Sequence, residues 1–374
     1  MQVTMIAEQL RRDAPGGIGT YVRGLSLGLR RPPVPGSGED EIQICFVTSP
    51  AKRRPDPLAE FGSVRALPFP AKVLTAIWER DRLRGPAVGD IVHATSLAFP
   101  APRRRNPIPL TVFVHDLAWR HVPEAYPERG IRWHERGLER AIEHADALLV
   151  PSQLTRADLI AAGADPAKVS VVPEGCDHLP RTYAEGLGSY LLAVSTIEPR
   201  KNLARLIEAY ALIRPSLPEP WPLRIVGPLG WNGHGADGLP AILPKGVEVV
   251  GAVTDQELAL QYAGARAFAY VPIVEGFGLP PLEAMRVGLA VACSPVPSVV
   301  EPVSGQSAMA APAVIVDPLD VDSIAAGLFA VLADDPTRAE VRRSSSVWVS
   351  ARGWRVAADS HRSVWRSITG PNRR

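Results

Sequence analysis

Short apolar runs bounded by polar or glycine-containing turns recur along this chain, and most intervals between them carry helical spacing. Residues 2–7, 42–47, 91–93, 110–114, 147–150 and 169–172 read as strands. Residues 18–29, 130–145 and 154–162 read as helices, the last with Ser152 as its N-cap. Strands that alternate with helices predict a parallel sheet with helical crossovers. The pattern breaks at residues 177–188 (DHLPRTYAEGLG), polar and without periodicity, which reads as a linker. It resumes at Tyr190. Residues 191–197, 223–226, 247–250, 267–271, 290–293 and 313–316 read as strands, and 202–213, 255–263 and 280–287 as helices, with helices filling most of the remainder to about residue 369. The chain therefore predicts two α/β domains, 1–182 and 189–353. Ligands of such sheets sit at the carboxyl ends of the strands, and with two sheets the expected site is a cleft between them.

Composition supports two cores. The chain has 374 residues, 46% of them hydrophobic, enough for two domains of ordinary size. A net charge of +2 supplies no global field for a nucleic acid. Locally, residues 52–105 hold 11 Lys/Arg against 5 Asp/Glu, including Arg103-Arg104-Arg105. Such a run is either a solvated loop or a surface for anionic lipid or an anionic acceptor. Cys45, Cys176 and Cys293 are far apart and form no CxxC, which fits core thiols in a reducing, cytoplasmic compartment. The start, MQVTMIAEQL, lacks the pattern of a secretory signal, and no apolar run approaches the ~18 residues of a membrane span.

Four stretches could carry chemistry. EGFGLPPLEAM, residues 275–285, follows a strand directly. Gly276 and Gly278 leave backbone N–H groups unobstructed ahead of a proline-started helix, a setting that suits an electron-rich oxygen or phosphate. Glu275 adds an acceptor for a sugar hydroxyl, and Glu283, near the end of the first helical turn, could reach a vicinal diol such as a ribose. The plainer reading is a strand–turn–helix with a carboxylate favouring the helix dipole. In STIEPRKNL, residues 195–203, Arg200 and Lys201 precede a helix capped by Asn202, and two cations there suit a diphosphate; otherwise they are a charged loop. In APGGIGTYVRGL, residues 14–25, Gly16, Gly17 and Gly19 read as a strand–helix turn that lets a ligand approach the backbone, or simply as a tight turn. In VFVHDLAW, residues 112–119, His115 ends a strand, placed for cleft chemistry or paired structurally with Asp116. His93 follows the same logic. Asp320 and Asp322 form a D-x-D that reads as a helix cap. GxGxxG, a Walker loop, HExxH, GxSxG and metal-ligand spacing are absent from the sequence.

In this order, these stretches resemble the retaining nucleotide-sugar glycosyltransferases of family 4, which have the GT-B fold. The resemblance covers nearly the whole chain and includes GGIGTY, HDL, SQLTRADL, VPEGCD, PRKNL, the E-x7-E of Glu275 and Glu283, and VVEP with Glu301. HDLAW…VPEAYP together with PRKN looks most like bacterial mannosyltransferases that build surface polysaccharides. The resemblance implies two Rossmann-like domains with parallel sheets facing a central cleft. It also implies a C-terminal helix, within residues 354–374, that crosses back to complete the first domain.

By the same resemblance, Arg200 and Lys201 hold the donor diphosphate. Glu275 and the backbone of Gly276, Phe277, Gly278 and Leu279 hold the donor sugar, and Glu283 holds the ribose. Gly16 and Gly17 approach the donor from the first domain, and His115 lies near the anomeric carbon. No metal or other cofactor is expected. The expected partners are a nucleotide-sugar, with GDP-mannose the first choice, a glycan or lipid-linked acceptor, and peripheral contact with an anionic inner membrane face. The sequence departs from many relatives at Ile273, where they carry serine, and at Cys176, where they carry valine. A UDP-sugar-dependent transferase with a small acceptor, an epimerase or phosphorylase on the same fold, and a catalytically silent sugar-nucleotide binder or assembly protein stay open as alternatives. Turnover of donor separates the last from the rest.

Overall fold

The structure is a computed structural model and describes residues 1–12, 15–30, 41–51, 55–86, 88–182, 188–230, 238–303 and 311–370. Residues 52–54 of the basic run and 183–187 of the expected linker lie outside the described residues. Along the chain come β1 (Gln2–Ile6), α1 (Gly16–Arg30), β2 (Gln43–Thr48), β3 (Ser63–Ala66), α2 (Ala71–Glu79), β4 (Ile91–Ala94), β5 (Leu110–Phe113), α3 (Ala118–His121), α4 (Glu128–His144), β6 (Ala147–Val150), α5 (Gln153–Ala161) and β7 (Val169–Val171). There follow β8 (Leu191–Val194), α6 (Leu203–Ile213), β9 (Leu223–Val226), β10 (Val247–Gly251), α7 (Asp255–Gly264), β11 (Ala267–Tyr270), α8 (Leu279–Arg286), β12 (Ala290–Cys293), α9 (Pro297–Val300), β13 (Val314–Ile315), α10 (Val321–Ala333), α11 (Asp335–Ser350) and α12 (Trp354–Thr369).

The chain divides into two compact units, Met1–His178 with Gly353–Arg374, and Leu179–Arg352. Unit 1 holds a seven-stranded sheet in the order β3-β2-β1-β4-β5-β6-β7, and unit 2 a six-stranded sheet in the order β10-β9-β8-β11-β12-β13. Every paired strand is parallel. Helices cover both faces of such sheets, so central strands are apolar throughout; β5, β6, β11 and β12 are buried at every position. Strand order reverses between β1 and β4 in unit 1 and between β8 and β11 in unit 2. A doubly wound sheet opens a crevice at the carboxyl ends of the strands flanking such a point.

Local signals behave as expected at several helix starts. Ser152 accepts from the N–H of Thr155 at the start of α5, and Asp320 accepts from the N–H of Asp322 at the start of α10. Asn202 differs. It sits in the left-handed region at φ 61° and makes no cap bond. Its side-chain amide donates instead to the carbonyls of Val271 (3.0 Å) and Pro318 (2.6 Å). The glycine stretch also differs. Gly16, Gly17 and Gly19 lie inside the first turn of α1, after a short 3-10 turn at Glu8–Arg11. Sequence reading passed over β3, which is mostly exposed, and α2, whose Leu74 and Trp78 are buried one turn apart. Cys176 and Cys293 are buried thiols, and Cys45 is half-buried.

Helix α12 completes unit 1 by packing on α1. Two α1 glycines leave room for it: a Cβ on Gly24 would lie 2.0 Å from the Trp354 indole, and one on Gly28 2.2 Å from the Trp354 carbonyl oxygen. VPEGCD is the clasp at the helix start. Asp177 Oδ1 accepts from the Trp354 N–H (2.6 Å), and a Cβ on Gly175 would lie 2.2 Å from that nitrogen.

Beneath α12 runs a buried polar chain with one consistent direction. Trp365 Nε1 donates to Thr111 Oγ1 (3.3 Å), and Thr111 Oγ1 lies 2.9 Å from His93 Nδ1. His93 Nε2 lies 2.8 Å from Tyr21 Oη, which lies 2.7 Å from His361 Nε2. His361 Nδ1 donates to the Ala357 carbonyl (2.7 Å). With both imidazoles neutral, each of these hydroxyls and ring nitrogens has a partner. His93, with no exposed surface, is part of the core and not of a site, which corrects the sequence expectation.

Burial, aided by the neighbouring imidazoles, holds His93 well below the ordinary histidine range, and burial brings His361 down to about 4. An unfolded chain takes up these protons below pH ~6.5, whereas the folded chain resists them. Stability thus falls as pH drops from ~6.5 towards about 4. We expect hydrogen exchange of the α12 amides, corrected for its intrinsic pH dependence, to lose protection between pH 7 and pH ~5. Unchanged protection would contradict this assignment.

Candidate active site

In unit 2 the loops after β8 and β11 meet at the switch point. The first turns through a 3-10 segment, Pro199–Lys201; the second carries Glu275. Their backbones are tied, Ile273 N–H to the Arg200 carbonyl (2.9 Å), and the Asn202 amide adds its bond to Val271. The left-handed Asn202 thus serves as the hinge that turns the chain into α6 while stitching the two loops together.

The side chains converge on one oxygen. Lys201 Nζ contacts Glu275 Oε2 directly and donates to Tyr270 Oη at 3.0 Å. Tyr270 Oη donates to the same Oε2 at 2.8 Å, and Arg200 Nη1 approaches it at 3.4 Å. Arg200 Nε pairs with Glu198 at 2.7 Å. Lys201 and Glu275 have only 8% and 14% of their side chains exposed, so these charges interact in a poorly solvated setting. Burial alone would raise the Glu275 carboxyl. Lys201, Arg200 and the bond from Tyr270 overcome it and bring the group down to about 2. Burial beside Glu275 pushes the Tyr270 phenol well above its ordinary range. Two cations balanced by two carboxylates give a neutral cluster whose Arg200 and Lys201 can be turned towards an incoming anion.

The loop behind Glu275 is held from below. Gly278 adopts φ 95°, which only glycine takes without strain, and its carbonyl accepts from Ser298 Oγ at 2.6 Å. Ser298 N–H donates to the Phe277 carbonyl (2.9 Å), and Trp348 Nε1 donates to the Ser298 carbonyl (2.9 Å). The helix α8 starts at Leu279 with prolines at 280 and 281. Proline has no N–H, so two of the four donors usual at a helix start are missing, and amide donation falls to residues 276–279. Gly276, Phe277, Gly278 and Leu279 are buried. Glu283, also buried, accepts from Tyr262 Oη at 2.6 Å.

In unit 1, His115 lies just past β5. Its Nε2 donates to the Thr95 carbonyl at 3.0 Å, and its Nδ1 lies 3.3 Å from Glu174 Oε1. The Tyr21 ring meets it edge-on at 5.0 Å. Gly16 and Gly17 are exposed, and a Cβ on either would meet nothing within 4 Å. Only Gly16, at φ 60°, needs glycine for its own backbone. Arg103, Arg104 and Arg105 are exposed, as are Lys72, Arg80 and Arg82. The Gly85 N–H bond to Ala101 (2.9 Å) brings these two basic segments together. No described helix is long and apolar enough to cross a membrane.

Residues 15–178 match the family described as Glycosyltransferase Family 4, and residues 185–347 match Glycosyl transferases group 1. Glycosyltransferase family models thus match both halves of the chain. The chain is 34% identical over 242 residues to O-antigen chain mannosyltransferase B of Escherichia coli, covering 60% of this chain and 61% of that one. It is 28% identical over 229 residues to serotype-specific mannosyltransferase WbdA of Escherichia coli, covering 59% of this chain and 26% of that protein. The chain thus spans about three fifths or less of these relatives. In fold it is similar to sucrose-phosphate synthase from Thermosynechococcus elongatus, with a TM-score of 0.74, 18% identity and coverage of 98% and 99% of the two chains. The Anabaena HepE protein in complex with UDP and glucose has a TM-score of 0.69, 15% identity and coverage of 98% and 100%. These similarities establish the GT-B type of fold, two Rossmann-like α/β units in one chain.

Sequence reasoning missed Tyr270, Glu198, Glu174, Tyr262 and Ser298. Glu198 had a local signal, a carboxylate two positions before Arg200. Tyr270 bonds Glu275 five positions on but sits in an apolar strand, and Glu174, Tyr262 and Ser298 touch their partners only through the tertiary fold.

Proposed function

We propose that the chain transfers a hexosyl group, mannosyl from GDP-mannose, to a glycan or lipid-linked acceptor with retention of anomeric configuration. The observation that carries this reading is the Arg200–Lys201–Glu275 cluster at the switch point of unit 2. Fixed positive charge at a poorly solvated strand end suits the negative charge that grows on a departing nucleoside diphosphate. Glu275 holds the donor sugar hydroxyls with residues 276–279, and Glu283 holds the ribose. In unit 1, His115 and the open backbone at Gly16 and Gly17 are assigned to the sugar side of the reaction. The bond from the anomeric carbon to the diphosphate oxygen breaks, and a bond to the acceptor oxygen forms on the same face. The acceptor proton passes to the departing diphosphate oxygen. Arg200 and Lys201 supply the charge, so transfer proceeds without a metal ion. The choice of mannose rests on the names of the similar E. coli proteins.

The test is nucleoside diphosphate release from a panel of nucleotide-sugars, with glycan acceptors and a chelator present, for wild type and Glu275→Gln. Release from GDP-mannose that falls at least about a hundredfold in the variant supports the reading, on the scale of lost transition-state contacts. Equal release by both proteins removes Glu275 from the site. The exposed arginines of unit 1 are the candidate contact for an anionic membrane carrying the acceptor. Salt-sensitive flotation with anionic vesicles supports that contact, and its absence removes it.

A further inference from the structure

We infer that Tyr270 is a positioning residue for transfer, holding Glu275 in place when Lys201 turns to the donor diphosphate. The inference rests on the donor-site reading above. In the unliganded cluster Lys201 Nζ contacts both Glu275 Oε2 and Tyr270 Oη, while Tyr270 Oη donates to Glu275. A diphosphate competes with Glu275 for the ammonium. Once Lys201 is shared, Glu275 is a poorly solvated carboxylate with a weakened ion pair. Its Arg200 contact is long, at 3.4 Å, and Arg200 is itself drawn to the diphosphate. A buried carboxylate needs donors to stay oriented and ionised.

Tyr270 is the donor that does not leave. It is the last residue of β11, paired with β12 through Cys293, and it is buried at 4% exposure. Its ring lies near that of Phe268, with centroids 6.4 Å apart, and beneath Lys201 Nζ at 5.5 Å. Burial beside Glu275 keeps the phenol protonated at every working pH. A neutral hydroxyl has no net charge to lose to the phosphate, so its hydrogen bond to Glu275 survives donor binding.

Tyr270→Phe removes the hydroxyl and keeps the packed ring. We expect kcat to fall about 10- to 100-fold, the range for a hydrogen bond to a charged group, with nucleoside diphosphate affinity within about threefold of wild type. Three other outcomes overturn the inference, and they are distinguishable. Unchanged kcat in Tyr270→Phe, with Glu275→Gln inactive, removes Tyr270 and leaves the donor-site reading standing. Diphosphate affinity that falls in step with kcat shows that the tyrosine only supports the fold of the site. A wild-type protein that neither binds nucleoside diphosphate nor consumes any donor fails the donor-site reading itself.

Discussion

Replacing Lys201 by alanine lowers turnover by about a hundredfold or more in a chain that stays folded. The effect follows from where the ammonium is held. It is 8% exposed and held beside Tyr270 and Glu275, so it waits in a poorly solvated position and has only to turn from Glu275 to meet charge developing on a leaving group. Removing one such preorganised donor costs about 10²- to 10³-fold in comparable sites. Two effects of the substitution must be separated. Loss of Lys201 also strips Glu275 of its nearest cation, and breaking one half of a buried pair can destabilise by about 3–5 kcal/mol. Tyr270 and Arg200 remain to hold the carboxylate, so the stability loss falls short of that figure. Circular dichroism and a melting curve report the fold, and donor consumption reports the chemistry. A folded Lys201→Ala protein with near-wild-type turnover ends the diphosphate role of this residue.

The second large effect is on folding. Gly28→Val on α1 should lower the melting temperature of unit 1 by roughly 2–10 °C, as read by protection of the α12 amides on heating. Two terms oppose each other. Any residue other than glycine or proline gains helix propensity, at most about 1 kcal/mol. Against this, the added Cβ would lie 2.2 Å from the Trp354 carbonyl oxygen and 2.7 Å from its carbon. That is backbone and cannot swing aside, so α12 must lift from α1, and overpacking of this kind costs about 1–3 kcal/mol or more. At about 2–4 °C per kcal/mol, the steric term wins. Gly130→Ala on α4 is the control. There the nearest atom would be 3.4 Å away, so propensity should prevail and stability rise slightly. Equal behaviour of the two variants would mean that α12 is not seated as described.

How far the sequence could be read depended on whether a signal was local. The strands β6, β9 and β12 coincide with the expected apolar runs because both faces of each are covered and nearly every residue faces inward. β3 escaped because its side chains are mostly exposed and it includes Arg65. Asn202 was misjudged because an asparagine before a helix looks the same whether it caps the helix or takes the left-handed conformation. The cations and the first glutamate of the motif were legible as charges at strand ends, and the structure joins them at Glu275 Oε2. The hydroxyl of Tyr270 was not legible. It sits in an apolar strand whose sequence, AFAY, reads as core, and its polar partners are Glu275 in the loop that follows and Lys201 from the loop after β8. The same holds for VPEGCD, whose clasp meets α12 across 177 positions of chain.

The discontinuity of unit 1 has a consequence for biogenesis. Its sheet leaves the ribosome early, but the helix that covers α1 is encoded after all of Leu179–Arg352. At roughly 5–20 residues per second, the surface of α1 around Gly24 and Gly28 waits about 15–65 s for its cover. During that interval Tyr21 and Thr111 lack their hydrogen-bonded neighbours His361 and Trp365 from α12, and the nascent unit presents a wet, half-satisfied seam. Unit 2, contiguous in sequence, needs no such wait and can fold first, reversing the usual order in which the amino-terminal part of a protein matures ahead of the rest.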